Sequence, residues 1–317
     1  MMSAPMQNKT QDASVKSISD RTMTTSCDDS AYLHLPQTLL ASCIFSGVER
    51  NTLGRTLSDQ DRFNHYPASP LPQISWIFQG QLHMVIENHE RMPSLGPALP
   101  KIVVAGPQTK PCASWSPGPV HALSVAFYPE ALAKLIQLPI RDICNRIEPL
   151  EALAPPAFFD LANALFHQKS NSVFHALETL LLPLWQQQRQ HHTTPLLGEW
   201  IRSLLTRASF SDTGVGLRQW QRRIKQLTGQ SQQDLDCFTK VEEVMLQIVD
   251  APSQNTPPLA DIAAASGFSD QSHMGRLVRR VTGASPARFL HLQQHEESFW
   301  FYRLLEGHLR QARQINK

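Results

Sequence analysis

Apolar and polar residues follow two different patterns along the chain, and the pattern changes near residue 129. Between about residues 33 and 125, short apolar or alternating runs are separated by Pro, Gly and Ser, which is typical of strands joined by turns. We predict strands at residues 74–78, 82–86, 101–105 and 122–127. The first part of the chain is therefore predicted to be β-rich.

After residue 129, apolar residues recur at helical spacing. Helices predicted at 130–137, 156–167 and 172–190 form a connector, and a polar stretch rich in Gln and His, 186–195, marks the predicted domain boundary. Nearly everything beyond it is predicted to be helical. The fold class is thus α+β: a disordered tail at 1–30, a β-rich domain with helical connector at 31–192, and an all-α domain at 193–317.

Part of the helical half matches itself at an offset of 54 residues. Between the identical positions, apolar residues fall on apolar residues and basic residues on basic ones. A repeat of this length predicts one supersecondary unit that occurs twice. The identical pairs are Arg222 and Arg276, Thr228 and Thr282, Gly229 and Gly283, and Ser231 and Ser285.

The second copy has the features of a helix-turn-helix. Ala263 is small, as the crossing of two helices requires, and Gly267 tolerates the positive φ of a tight turn. Asp270 or Ser269 is expected to cap a second helix that runs to about Thr282. The turn favours a DNA-reading unit over a solvated basic helix.

The polar faces of the two predicted recognition helices suit base edges and phosphates. In the second copy this face carries Gln271, Ser272, His273, Gly275, Arg276, Arg279 and Arg280. In the first copy, over 216–228, it carries Arg218, Gln221, Arg222 and Lys225 above an apolar line of Leu217, Trp220, Ile224 and Leu227. A joining helix of about 18 residues spans roughly 27 Å, near the ~34 Å between successive major-groove faces, so one monomer is expected to reach both.

The distribution of charge agrees with a polyanionic partner. The chain carries a net charge of +2, but residues 200–317 hold 15 Lys and Arg against 11 Asp and Glu, which leaves the rest slightly acidic. The first unit is less regular, because residues 209–215 contain Asp, Gly and Ser where a short helix and turn are expected. A protein-interaction module built on degenerate helix-turn-helix units therefore stays open as the alternative.

Residues 261–286, DIAAASGFSDQSHMGRLVRRVTGASP, resemble the signature of AraC/XylS-type transcription regulators. The resemblance implies unit 1 at about 196–231, a linker helix at 232–250, unit 2 at about 257–290 and a C-terminal helix to 317. The aromatic cluster at 297–303 is expected to pack within that last helix. The implied partners are double-stranded promoter DNA and RNA polymerase, with a homodimer as a further expectation. The base-contacting positions implied are Arg218, Gln221 and Arg222, and Gln271, Ser272, His273 and Arg276.

The N-terminal part resembles, more loosely, the β-rich sensor domains of such regulators, through residues 62–68 and 115–121. That resemblance implies that the domain binds a small-molecule effector or mediates dimerisation. Trp76, Trp115 and His121 are the candidates for lining an effector pocket. Buried aromatic residues in a small β-domain more often belong to the core, and that reading stays open beside the first.

Other chemistries find less support in the sequence. The five cysteines form no CxxC pair and HExxH is absent, so we expect no metal, no cofactor and no enzyme activity. A DNA-repair methyl acceptor, the enzyme alternative, needs an activated cysteine, for which Cys27 and Cys112 are the candidates. No apolar stretch approaches the ~20 residues that cross a bilayer, and the first thirty residues lack a secretory apolar segment, so we expect a cytoplasmic protein.

Overall fold

A computed structural model describes residues 24–87, 93–186, 196–210, 217–250 and 257–315. Its N-terminal half contains two antiparallel sheets, one of seven strands in the order β1-β2-β3-β10-β5-β8-β11 and one of four in the order β4-β9-β6-β7. The strands are β1 Thr24–Asp28, β2 Ala31–His34, β3 Ile44–Asn51, β4 Phe63–Tyr66, β5 Gln73–Gln79, β6 His83–Glu87, β7 Pro93–Ala98, β8 Ile102–Ala105, β9 Cys112–Trp115, β10 His121–Phe127 and β11 Ile147–Pro149.

The centre of the larger sheet is strand β10, which pairs with β3 on one side and β5 on the other. Leu123 and Val125 of β10 are fully buried, and Trp76 of β5 lies opposite Leu123. Helices α1 Pro129–Ile136, α2 Leu150–Leu153, α3 Pro156–Ala164 and α4 Val173–Gln186 follow the strands, and their apolar residues join the same core. The alternation of apolar residues along β10 thus buries one face of the strand beneath the helices.

The four strands predicted from the sequence are confirmed as β5, β6, β8 and β10, and the three connector helices as α1, α3 and α4. The disordered tail predicted for residues 1–30 extends too far along the chain. Residues 24–28 form strand β1, which pairs with β2 and gains its hydrogen bonds from that neighbour rather than from any apolar run of its own. The predicted boundary stretch falls mostly on residues 187–195, which lie outside the described residues.

Seven helices make up the described part of the chain after residue 195. They are α5 Leu197–Phe210, α6 Leu217–Thr228, α7 Gln232–Asp250, α8 Leu259–Ala265, α9 Gln271–Thr282, α10 Pro286–His295 and α11 Trp300–Ile315. Helices are found at the positions predicted for the two recognition helices (α6 and α9) and for the linker helix (α7). The α+β fold class predicted from the sequence is therefore correct.

The last helix, α11, packs against the β-rich half. Trp300 at its start is 2% exposed, and its indole N–H donates a hydrogen bond of 2.9 Å to Oδ1 of Asn64 in β4. Arg50 of β3 lies over the same ring, with its guanidinium carbon 4.7 Å from the ring centroid, and pairs with Glu297 at 2.6 Å. The predicted terminal helix is confirmed, and the structure adds that the surface it covers belongs to the β-rich half.

Removal of the buried cation tests this junction. Arg50→Ala is expected to lower the free energy of unfolding by roughly 2 kcal/mol, because Glu297 keeps only its pair with Arg303 and Trp300 loses the charge above its ring. Arg146→Ala is the matched control: its ion pair with Glu148 is exposed, and its loss should cost less than about 1 kcal/mol. Urea unfolding followed by tryptophan fluorescence measures both. Equal losses in the two variants would contradict the role assigned to Arg50.

Candidate nucleic-acid interface

The two recognition helices end in the same way. The hydroxyls of Thr228 in α6 and Thr282 in α9 each donate to the carbonyl oxygen four residues earlier, at 2.9 Å in both helices. Gly229 and Gly283 follow, with φ values of 74° and 83° that favour glycine. The repeat found in the sequence is therefore also a repeat of hydrogen bonding and backbone conformation.

The β-rich half contacts both of these helix ends. A Cβ added at Gly229 would lie 3.2 Å from Cα of Arg141, and one added at Gly283 would lie 3.3 Å from Cγ of Pro111. The backbone N–H of Ala68 also donates to the carbonyl oxygen of the residue before Thr282, at 2.8 Å. Both helix-turn-helix units thus meet the N-terminal half at equivalent positions of the repeat.

Helix α8 and the turn after it place α9 as the second helix of a helix-turn-helix. Ala263 is 2% exposed at the crossing, Gly267 has a φ of 71°, and Phe268 is buried beside them. Asp270 caps α9: its Oδ1 accepts a hydrogen bond of 2.7 Å from the backbone N–H of His273. This bond holds the pKa of the Asp270 carboxyl below its usual range. The capping and turn expected from the sequence are confirmed.

The predicted contact residues of α9 have different surroundings. Gln271, Ser272, Arg276, Arg279 and Arg280 are exposed. His273 is half-buried, with its ring edge-on to Phe268 at a centroid distance of 5.4 Å. The guanidinium of Arg280 pairs with Asp234 near the start of α7. Arg280 therefore ties the recognition helix to the linker helix, while Arg276 and Arg279 extend from the surface.

Helix α6 presents a similar face. Arg218, Gln221 and Arg222 are exposed, as is Lys225. The apolar line beneath them differs from the prediction at its end, because Ile224 is fully buried whereas Leu227 is 42% exposed. Helix α5 precedes α6, and the irregular stretch between them falls largely on residues 211–216, outside the described residues.

Two sequence families match the chain. A helix-turn-helix domain family matches residues 211–291, which include both recognition helices with their duplicated ends. A family described as a domain of unknown function matches residues 64–149. Residues 211–291 thus form an AraC-type helix-turn-helix domain, and the chain is a DNA-binding transcription regulator. No curated protein matches the regulator.

Solved structures resemble the regulator only at low similarity. An apo variant of ToxT from Vibrio cholerae is 10% identical, with a TM-score of 0.34 over 73% of this chain and 93% of that one. Wild-type ToxT with bound unsaturated fatty acid is 9% identical, with a TM-score of 0.34 over 83% and 95%. A variant of oxalate decarboxylase from Bacillus subtilis is 9% identical, with a TM-score of 0.23 over 44% and 42%.

The three residues predicted to line an effector pocket are not brought together by the fold. Trp76 is 1% exposed, and its indole N–H donates to the backbone oxygen of Ala162 at 2.9 Å, so it belongs to the core. Trp115 lies in the other sheet, where its N–H donates to the backbone oxygen of Asp59. His121 bonds to Glu49 at 2.8 Å. Sequence alone cannot separate a core aromatic from a pocket aromatic, because both are apolar residues in strands.

A cavity that the sequence did not indicate lies between the two halves. Its volume is ≈ 200 Å³, and apolar side chains from both halves make up most of its wall. Phe45 and Ala126 come from the sheet, Val241 and Met245 from α7, and Tyr302 from α11. No sequence motif marks it, because its wall is assembled from residues far apart in the chain.

Of the two cysteine candidates, Cys112 is not activated, and the side chain of Cys27 lies outside the described part of the structure. Burial raises the pKa of the Cys112 thiol to about 11, the opposite of what a nucleophilic cysteine requires. In the described ranges, no three His, Cys, Asp or Glu side chains are grouped to hold a metal ion. Within those same ranges, no helix is long and apolar enough to cross a bilayer.

The pH dependence of stability tests the pair formed by His121 and Glu49. Burial favours the neutral form of Glu49, but hydrogen bonds from His121 and His34 outweigh it and lower the pKa of Glu49 to about 2. A lowered carboxyl pKa stabilises the fold above the unfolded value of ~4.3, and this contribution is lost as the pH falls toward 2. Glu49→Gln should remove roughly 2 kcal/mol of that pH-dependent stability, measured by urea unfolding at pH 7 and pH 3. An unchanged difference between the two pH values would contradict this assignment.

Proposed function

We propose that α6 and α9 read adjacent major-groove faces of one promoter duplex. The observation that carries this proposal is the duplicated helix end. Because α6 and α9 share a threonine hydrogen bond in the last turn, a following glycine and an exposed basic face, Arg222 of the first unit is equivalent to Arg276 of the second. Two equivalent arginines on two equivalent helices suit two segments of the same polymer.

The linker helix has a suitable length for this arrangement. Helix α7 contains 19 residues and therefore spans roughly 28 Å at 1.5 Å per residue. Successive major-groove faces on one side of DNA are ~34 Å apart. The pair between Arg280 and Asp234 fixes the start of α7 against α9, so we assign Arg280 a positioning role within the protein.

We assign the exposed side chains of α9 two roles. Gln271, Ser272 and Arg276 lie in its first half, which enters the groove in helix-turn-helix proteins, and we propose that they contact base edges. His273 is half-buried, and we propose that it supports the turn as well as the contact. Arg279 lies near the end of the helix, and we assign it to backbone phosphate. Arg218, Gln221 and Arg222 take the base-contacting role on α6.

Replacement of Arg276 tests the base-reading role. Arg276→Ala should weaken binding to the regulator's own upstream region by roughly 1–3 kcal/mol and leave binding to a scrambled duplex nearly unchanged, because only the specific complex loses a base contact. Arg279→Ala is the matched control on the same helix, and it should weaken both complexes alike and reduce the salt dependence of binding by about one phosphate. Fluorescence anisotropy across a salt series measures these effects.

The same binding experiment distinguishes sequence reading from phosphate attraction alone and from a protein-interaction module. Equal and steeply salt-dependent binding to both duplexes would limit the interface to phosphate attraction. Failure of the wild-type regulator to bind either duplex, with and without candidate effectors, would favour the protein-interaction module. An Arg276→Ala variant with unchanged preference would contradict the role assigned to Arg276.

We further propose that the cavity between the halves accepts a small apolar effector. Its wall is mainly apolar, and ≈ 200 Å³ is smaller than the ~300 Å³ typical of drug-sized ligands. Val281 and Thr282, at the end of α9, form part of the wall together with Ala68 of the β-rich half. An occupant would therefore touch the end of a recognition helix and the residue that hydrogen-bonds to it.

Filling the cavity tests this proposal. Saturating 1-octanol, a small apolar probe, should raise the melting temperature of the wild-type regulator, because it binds the folded state. It should also change the affinity for DNA, because it would contact the end of α9. Ala126→Phe places a ring in the cavity and should abolish both effects. Ala98→Phe adds the same ring at an exposed position and should keep them. Equal responses from all three proteins would contradict a site in this cavity.

Contacts with RNA polymerase and formation of a homodimer remain predictions drawn from the family resemblance. Because the proposed target is promoter DNA, we also place the regulator in the cytoplasm. Sedimentation with and without a duplex containing the upstream region distinguishes a monomer that spans two groove faces from a dimer.

A further inference from the structure

We propose that Arg141, a residue of the β-rich half, binds a backbone phosphate of the DNA that α6 contacts. The proposal deepens the proposed function and rests on it. It gives the N-terminal half a direct part in holding the duplex, beside the first recognition helix.

The observation behind this proposal is a basic depression between the halves. It is open to solvent and has a volume of ≈ 690 Å³. One side belongs to α6, one to the start of α7, and the third is Arg141. Its lining includes three cations, Arg141, Arg222 and Lys225, and one carboxylate, Asp236. An excess of cations around an open depression suits an anionic occupant, and two of the three cations already belong to the proposed DNA-contacting face.

Arg141 is placed there by close packing of backbone. It lies in the short 3-10 helix Ile140–Ile143, whose two isoleucines are 1% exposed and anchor it to the core. Its Cα lies near the position that a Cβ at Gly229 would occupy, 3.2 Å away, so the 3-10 helix sits directly against the end of α6. The glycine that ends α6 therefore also permits the approach of the cation.

The segment that carries Arg141 is held by a neighbouring loop. Oδ1 of Asn145 accepts hydrogen bonds from the backbone N–H of Thr109 at 2.8 Å and from its hydroxyl at 2.9 Å. The backbone N–H of Asn145 donates to the carbonyl oxygen of Pro107 at 2.8 Å. A cation on a support of this kind loses little backbone freedom when it binds, which favours a phosphate contact.

The side chain of Arg141 remains able to bind an anion. Its Nε lies 3.3 Å from Asp142, in an ion pair whose side chains are 48% and 47% exposed. Exposed pairs of this type contribute little, and a guanidinium has five N–H donors in a fork that matches phosphate. A phosphate in the depression would replace a weak, solvent-screened partner.

Arg146 provides a matched control on the same surface. It is also exposed and also carries a guanidinium, but it does not line the depression. Its Nε and Nη2 both donate to Oε1 of Glu148, at 3.1 and 2.7 Å, and its Nη1 donates to the carbonyl oxygen of Asp142. Loss of Arg146 changes net charge as much as loss of Arg141 does. It removes one exposed hydrogen bond to the 3-10 helix but leaves the guanidinium of Arg141 in the depression.

The experiment compares salt dependence of DNA binding for four full-length proteins: wild type, Arg141→Ala, Arg141→Lys and Arg146→Ala. Labelled duplexes containing the upstream region or its scrambled sequence are titrated at several salt concentrations. Arg141→Ala should lower the slope of log K against log salt by about 0.9 and the affinity at 0.1 M salt by roughly five- to tenfold, on both duplexes. Arg141→Lys should restore most of the slope, and Arg146→Ala should match the wild type. Circular dichroism melts confirm that all four proteins are folded.

Three results would overturn the proposal. An unchanged slope for Arg141→Ala would show that no phosphate is bound there. Tighter binding by Arg141→Ala would mean that the 3-10 helix obstructs the duplex. An equal loss for Arg146→Ala would reduce the effect to net charge. If these results appear while Arg276→Ala still loses sequence preference, only the role of Arg141 fails; if the wild type binds neither duplex, the proposed function itself fails.

Discussion

The guanidinium of Arg50 joins the two halves of the regulator. It lies on the ring of Trp300 and pairs with Glu297, so a strand of the larger sheet and the start of the last helix share one buried charge. A buried cation requires its partners, because removing it from water is costly unless hydrogen bonds and opposite charge compensate. The cavity between the halves depends on this junction, since α11 supplies part of its wall, including Tyr302 and Leu305.

The second helix-turn-helix unit was predictable because its determinants are local. A small residue, a glycine, a capping aspartate and a regular apolar stripe all act within about 25 residues, and each has its expected structural role. The junction at Arg50 was not predictable, since Arg50 and Glu297 are 247 positions apart and nothing in either segment specifies the other. A tertiary contact between two single polar residues produces no periodic pattern in the sequence from which it could be predicted.

The errors at the candidate sites have related causes. Trp76 was a plausible pocket residue by type, yet its indole N–H is satisfied by the backbone of α3, which makes it a core residue. Leu227 follows the apolar stripe of α6 and is nevertheless 42% exposed, whereas its repeat equivalent, Val281, is 7% exposed and forms part of the wall of the cavity between the halves. The pattern identifies which side of a helix is apolar, but the neighbours decide how far along the helix that side is covered.

The contacts at Gly229 and Gly283 have a consequence for how the regulator can be recombined. The N-terminal half contacts the ends of α6 and α9 at equivalent points of the repeat, through Arg141 and Pro111. A chimaera that joins residues 193–317 to an unrelated sensor would lose both contacts. In such a chimaera, α7 would connect the two units without the outside contacts of Arg141 and Pro111 at the ends of α6 and α9.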